Sequence, residues 1–313
     1  MKARLSVRWL VGVVAMVAVV VAVWTWWPSR PRAEQATGWQ TQIDLPMLVF
    51  GPRGIAVGRN GDVYVAESEY IHWLAAGRFI PQRLSIPGLK SAYSVAVGPG
   101  NELYVSDYGN ARILKISADR KSTVALPFTG LGDQDPARAG QSVAAGVAVD
   151  RVGTVFATDP DNSRILKLPA GSESAEVLAT VEHLRPPIAV SDTGDVVAYV
   201  SDPIPTLLTF RAGTAPAVST PIPDLKFVDA ITFDHRGNRL LADNAWEPPA
   251  EDGSRPSKTT ATVWLLAPGA ATPIRLPYTD LGELAGITVD ASDTIYYTDH
   301  AVSGRVVRLS PVR

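Results

Sequence analysis

The chain has 313 residues, enough for one large all-β domain or two ordinary ones, and its 25 Gly and 25 Pro suit many short strands joined by turns. Net charge is −2 overall; residues 39–313 hold 24 basic and 30 acidic side chains, a balance of −6 that excludes a basic surface for nucleic acid. The absence of cysteine excludes disulfides, thiolate metal sites and a Cys nucleophile.

Residues 1–8 carry Lys2, Arg4 and Arg8. From Trp9 to Trp27 no residue is charged, and at ~1.5 Å per helical residue this run covers roughly 28 Å, a bilayer's hydrocarbon core. Trp9 stands at one end of it and Trp24, Trp26 and Trp27 at the other, where indoles favour the membrane interface. A signal-peptidase site would place small residues around Ala22-Val23-Trp24, which it does not. The segment is therefore predicted to be an uncleaved, single-pass signal-anchor helix over 9–27. Three basic side chains precede the run, against Arg30 and Arg32 offset by Glu34 after it, so the expected topology is a cytoplasmic tail at 1–8 and a C-terminal domain exported to a bacterial cell envelope. Residues 28–38, with two prolines, read as a semi-extended linker.

From residue 39 one unit recurs six times. It is clearest in Gly146-Val147-Ala148-Val149-Asp150, a turn closing on Gly153, Val155-Phe156-Ala157-Thr158-Asp159, and Asn162-Ser163-Arg164-Ile165-Leu166-Lys167-Leu168. The copies begin at 54, 94, 146, 187, 230 and 286. A fourth strand lies between them, as in Val124–Phe128 and Ile274–Tyr278, and more weakly at Leu84–Pro87. Four short, β-branched strands in each ~40–45 residues are the blade period of a β-propeller. The last unit, ending at Leu309, has only three strands, and Thr41–Pro46 supplies the fourth. The prediction is an all-β, six-bladed propeller over 39–313 whose two ends close one sheet.

The Gly-x-Ala-Val opening, the Tyr-Val-x-Asp second strand and the Asn-x-Arg-Ile entrance to the third resemble NHL repeats. Leu126-Pro127-Phe128-Thr129-Gly130-Leu131 adds a likeness to the extracellular sensor propeller of a mycobacterial membrane serine/threonine kinase. The kinase domain is absent, so the resemblance implies a fold and an envelope setting, not phosphorylation.

Asp107, Asp159, Asp202, Asp243 and Asp299, with Glu67 in the equivalent place, end the second strands. They are expected to accept loop amides and to pair with Arg112, Arg164 or Arg305 rather than to ring a ligand. His72, His183, His235 and His300 have no metal-ligand spacing and read as surface or loop residues, His300 being the one next to a recurring carboxylate. Six-bladed propellers of the gluconolactonase and paraoxonase type hold Ca²⁺ in the axial channel with several Glu, Asn and Asp side chains. The residues just before the innermost strands here are Arg53, Tyr93, Ala145, Pro187, Asp229 and Ala285, a poor cation cage. No metal and no cofactor are expected.

Two connections are long, Leu131 to Ala145 and Asn244 to Ala261, and both emerge on one face with Pro203-Ile204-Pro205. That face is expected to recognise a ligand, with Trp246 as aromatic anchor and Asp133, Asp135, Arg138 and Glu247 around it, and Arg53, Tyr93 and Asp229 at the channel. It is expected to point away from the bilayer. The sequence thus predicts a membrane-anchored extracytoplasmic propeller that binds a protein, peptide or glycan as a sensor or scaffold. The alternative is a metal-dependent propeller hydrolase or lyase acting on lactones or esters.

Overall fold

The computed structural model describes residues 42–132, 145–246, 259–278, 281–300 and 304–309. The predicted anchor over 9–27, its linker, and Thr41 lie outside them. Among the described residues no helix is long and apolar enough to cross a membrane.

The described residues form six four-stranded antiparallel sheets. β1 (Ile43–Asp44) comes first and belongs to the last sheet. The first blade is β2 (Ile55–Val57), β3 (Val63–Glu67), β4 (Tyr70–Leu74) and β5 (Gln82–Ser85). The second is β6 (Ala92–Val97), β7 (Leu103–Asp107), β8 (Arg112–Ile116) and β9 (Thr123–Ala125). The third is β10 (Val147–Val149), β11 (Val155–Asp159), β12 (Arg164–Leu168) and β13 (Glu176–Thr180). The fourth is β14 (Leu184–Val190), β15 (Val196–Val200), β16 (Thr206–Phe210) and β17 (Val218–Pro221). The fifth is β18 (Val228–Phe233), β19 (Arg239–Trp246), β20 (Thr259–Leu266) and β21 (Ile274–Arg275). The sixth is β22 (Leu284–Val289), β23 (Ile295–Asp299) and β24 (Arg305–Leu309), and β1 joins it with Ile43 opposite Arg308 and Asp44 opposite Val307. The all-β six-bladed propeller and its closure by the two chain ends are as predicted.

Local chemistry explains the blades. Between β10 and β11 the Asp150 carboxylate accepts the Val152 and Thr154 amides at 2.9 and 2.8 Å, while Gly153 takes φ +88°, a conformation that side chains resist. Asp234 and Asp290 make the same turn in blades five and six. The second strand is buried at every position in β3, β7, β11, β15 and β23, because each sheet is covered on both faces by its neighbours. Outer strands such as β9 are exposed throughout and carry little of the core. Six clusters of buried apolar side chains fill the six gaps between adjacent blades. The gap that closes the ring is filled by Met47 and Val49 against Val63, Val65, Tyr296 and Val306.

Two expectations need correcting. The long connection of blade five is shorter than Asn244–Ala261, because Asn244, Ala245 and Trp246 pair with Ala261, Thr260 and Thr259 as a prolonged hairpin. The alternation simply continues past the point where the other blades stop. His72 is no surface residue: it is 3% exposed within β4, its Nε2 2.9 Å from a Glu67 carboxylate oxygen.

Candidate functional site

The carboxylates at or near the ends of most second strands accept backbone amides of the segment leading to the innermost strand. Asp107 accepts the Lys90 and Ser91 amides at 3.0 and 3.3 Å and pairs with Arg112 at 2.8 Å. Burial pushes this carboxyl up, but the bonds from Asn110, the Lys90 amide, Arg112 and the Ser91 amide outweigh it and hold it below its usual range. Asp159 accepts the Gly132 amide and pairs with Arg164 at 2.8 Å; Asp299 accepts the Gly282 and Glu283 amides and pairs with Arg305 at 2.9 Å. Asp243 takes the Lys226 and Phe227 amides, and Glu67 takes that of Phe50. The structural role holds for these five. Asp202 departs from it: its side chain is 66% exposed and lies 3.6 Å from His183.

Four of the innermost strands begin with a bulge. In β6, β14, β18 and β22 the pairing register with the second strand slips near the start of the innermost strand. Tyr93 and Ser94, Arg185 to Pro187, Asp229, and Ala285 fall in these slips. A bulge re-aims side chains that a regular ladder would commit to a sheet face. Here it turns them towards the axis. The blades close tightly around that axis, and at Gly146 and Gly286 an added Cβ would lie 2.0 Å from the Pro186 carbonyl oxygen and 2.6 Å from that of Arg53.

The axial channel is narrow, about 80 Å³, and both Tyr93 and Asp229 line it. At the end where the innermost strands begin it meets a wider cavity of about 570 Å³, with Tyr93 and Pro186 shared by both. Arg53, Arg185, Phe50, Tyr108 and His300 line the wider part. The Arg53 guanidinium lies 5.9 Å from the centre of the Tyr93 ring, and that of Arg185 4.5 Å from the Phe227 ring. Among the described residues neither guanidinium has a carboxylate at ion-pair distance, unlike Arg112, Arg164 and Arg305. His300 is held by a contact between Nδ1 and the Pro52 carbonyl at 3.0 Å.

Asp229 is the chemically perturbed group. Burial pushes its carboxyl up to about 6, against the hydrogen bond that Asn244 donates and the positive charge of Arg185, and with the charges of Glu283 and Asp243 adding to the rise. Asn244 is fully buried, and the rest of its amide is committed to the backbone of Leu284, donating to the carbonyl at 2.8 Å and accepting the amide at 3.0 Å. Burial also raises the Tyr93 phenol, as does the charge of Asp229, with Arg53 and Arg185 acting the other way. Tyr93 thus stands among three charged groups, Asp229, Arg53 and Arg185, and keeps its proton at neutral pH.

This donor set does not fit a hard cation. The Asn244 oxygen is already occupied by a backbone amide, and two guanidinium groups stand at the opening. Among the described residues no three His, Cys, Asp or Glu side chains are placed to hold a metal ion.

Of the residues singled out in the sequence, Arg53, Tyr93 and Asp229 come together here, while Ala145 and Ala285 bring no chemistry. Glu247, Asp133, Asp135 and Arg138 lie outside the described residues, as does the side chain of Trp246. Sequence reasoning missed Arg185 and Asn244. Arg185 was displaced by a bulge longer than that of the other blades: Arg185, Pro186 and Pro187 span the gap between the Leu184–Val200 and Ile188–Ala198 pairs. Asn244 was hidden in what read as the start of a loop. The dipeptide Asp243-Asn244 was the available signal.

No known protein family matches the chain, and no curated protein is similar to it. Solved structures are. A gluconolactonase from Xanthomonas campestris, XC5397, superposes with a TM-score of 0.66 at 14% identity, over 90% of this chain and 97% of that one. A streptogramin B lyase gives 0.56 at 13% identity over 88% and 98%, and a chain of a nidogen/laminin complex 0.60 at 18% identity over 76% and 85%. At such identities these likenesses establish the shared six-bladed propeller fold.

Proposed function

We propose that the chain is a hydrolase or lyase acting on a small molecule where the axial channel opens, with Asp229 as its acid–base group. The observation that carries this reading is the Asp229 carboxyl, raised to about 6, held by Asn244 and lining the axial channel, which meets a cavity of about 570 Å³ at Tyr93 and Pro186. A carboxyl in that range abstracts a proton when ionised and returns one when protonated near neutral pH. The Tyr93 hydroxyl can donate to oxygen as negative charge develops on it, and Arg53 and Arg185 can stabilise that charge. The fold shared with a gluconolactonase and a lyase supports the reaction class. The departure from the sequence-based alternative is that no metal takes part. A screen of lactones, esters and elimination substrates with the full chain tests this. Asp229→Asn is expected to lower turnover by about 10²–10⁴-fold, the usual contribution of a positioned acid–base group. Turnover unchanged in the variant would refute the role.

A second reading is favoured by the prolonged β19–β20 hairpin, eight residues on each side. In it the propeller is an NHL-type sensor or scaffold, anchored by 9–27 and exported, that binds a protein, peptide or glycan through Trp246 and its surroundings. Affinity capture with 247–258 shortened would lose the partner if this reading holds and retain it otherwise.

A further inference from the structure

The axial site also indicates what kind of molecule it takes. We propose that the channel mouth binds a small organic anion, a carboxylate or a phosphate, gripped by Arg53 and Arg185 in the absence of any bound divalent cation. The inference deepens the reading above and rests on it only for the location of the site.

Both guanidinium groups line one cavity, and each is propped on an aromatic ring that orients it without neutralising it. Three of the six recurring carboxylates are consumed: Asp107, Asp159 and Asp299 each hold at least one loop backbone amide and an arginine of their own blade. The Asp229 carboxyl, which lines the channel, accepts a hydrogen bond from Asn244. Among the described residues, two guanidinium groups thus line open volume with no carboxylate at ion-pair distance, where a planar fork of donors matches a carboxylate or phosphate. The Tyr93 hydroxyl stands beside them as a neutral donor. The cavity's size suits a metabolite rather than a polymer.

The test uses the full chain, with citrate as the carboxylate probe, pyrophosphate as the phosphate probe, and glucono-δ-lactone and CaCl₂ as the neutral and cationic controls. Thermal unfolding and calorimetric titration are read, with no turnover required. At least one anion is expected to raise the Tm, the lactone less so, and CaCl₂ not at all; which anion acts distinguishes the two chemistries. Arg53→Met and Arg185→Met should each weaken binding about tenfold or more, as expected for losing one charged hydrogen-bonding group, while Arg59→Met, in a turn at the opposite end of the blade, leaves it unchanged. Asp229→Asn should retain or tighten anion binding. Binding of neither anion, equal binding by the Arg53→Met/Arg185→Met double variant, or stabilisation by CaCl₂ that Asp229→Asn abolishes would overturn the proposal. Turnover failing in every screen would sink the enzyme reading and leave this one standing.

Discussion

At the scale of single residues, the same burial that tunes Asp229 for chemistry costs the fold stability. Its folded-state pKa lies above its unfolded value, so its contribution is fully present below pH 3.8 and is lost as pH rises through about 6. Asp229→Asn keeps an acceptor for Asn244 and removes the buried charge. It is expected to raise stability by about 1–3 kcal/mol at pH 8, from ~1.4 kcal/mol per pKa unit, and to change little at pH 4. Urea unfolding at the two pH values measures this, and an equal effect at both would contradict it. His235 behaves in a related way at the other end of the blades. Its Nδ1 meets Asp192 of blade four at 2.7 Å, and its Nε2 meets the Asp290 carbonyl of blade six at 3.1 Å. The Asp192 bond raises its pKa above the usual 6.5, against burial. That contribution is complete below 6.5 and disappears as pH climbs through the raised value. Wild type should therefore lose more stability than His235→Asn between pH 6 and pH 9.

At the scale of elements, the last residue of β3, β7, β11 and β23 does two jobs: it ends a ladder and holds backbone amides of the segment leading to the innermost strand. Asp107→Ala would leave Arg112 and two loop amides without their partner. It is expected to cost about 3–5 kcal/mol, as when one member of a buried pair is removed. Asp202→Ala, at the equivalent but exposed place in blade four, should stay within about 0.5 kcal/mol. Thermal unfolding of the two variants separates a pin from a surface carboxylate; equal losses would show that the distinction is wrong. The repeated carboxylates were legible in the sequence because short acidic side chains recur at one place in the grammar. What could not be read was which one had left the pattern. His72 was misjudged for a related reason. In β4 it occupies an inward position of a strand covered on both faces, where polar and apolar residues do not alternate visibly.

At the scale of the whole molecule, the ring was legible because its blades repeat and because the count of strands left one sheet short until Thr41–Pro46 was added. Among the described residues Ile43 and Asp44 form the ladder pairs there, the Leu45 amide donates to the Val306 carbonyl at 2.8 Å, and Met47 and Val49 pack between the first and last blades. Met47 is 4% exposed between the first and last blades. Met47→Ala is expected to cost about 2–5 kcal/mol, the range for large-to-small changes in a core. A loss below about 0.5 kcal/mol, the scale of surface changes, would mean that the ends do not seal the structure. The axial site was only partly legible. Asp229 sits in a one-residue slip and kept its place when the repeats were aligned, whereas the longer slip before Ile188 moved Arg185 out of line. Chemistry at the centre of a propeller depends on such local irregularities, which a search for repeats tends to average away.

The central claim is that a proton-exchanging carboxyl lines this channel and two guanidinium groups line its mouth. Carbon-13 NMR titration of the Asp229 carboxyl reads it directly and needs no substrate. The account predicts a midpoint near 6 in the wild type that rises further in Arg185→Met, where a nearby positive charge is gone. A midpoint at the ordinary carboxylate value near 4, unmoved by the substitution, would contradict it.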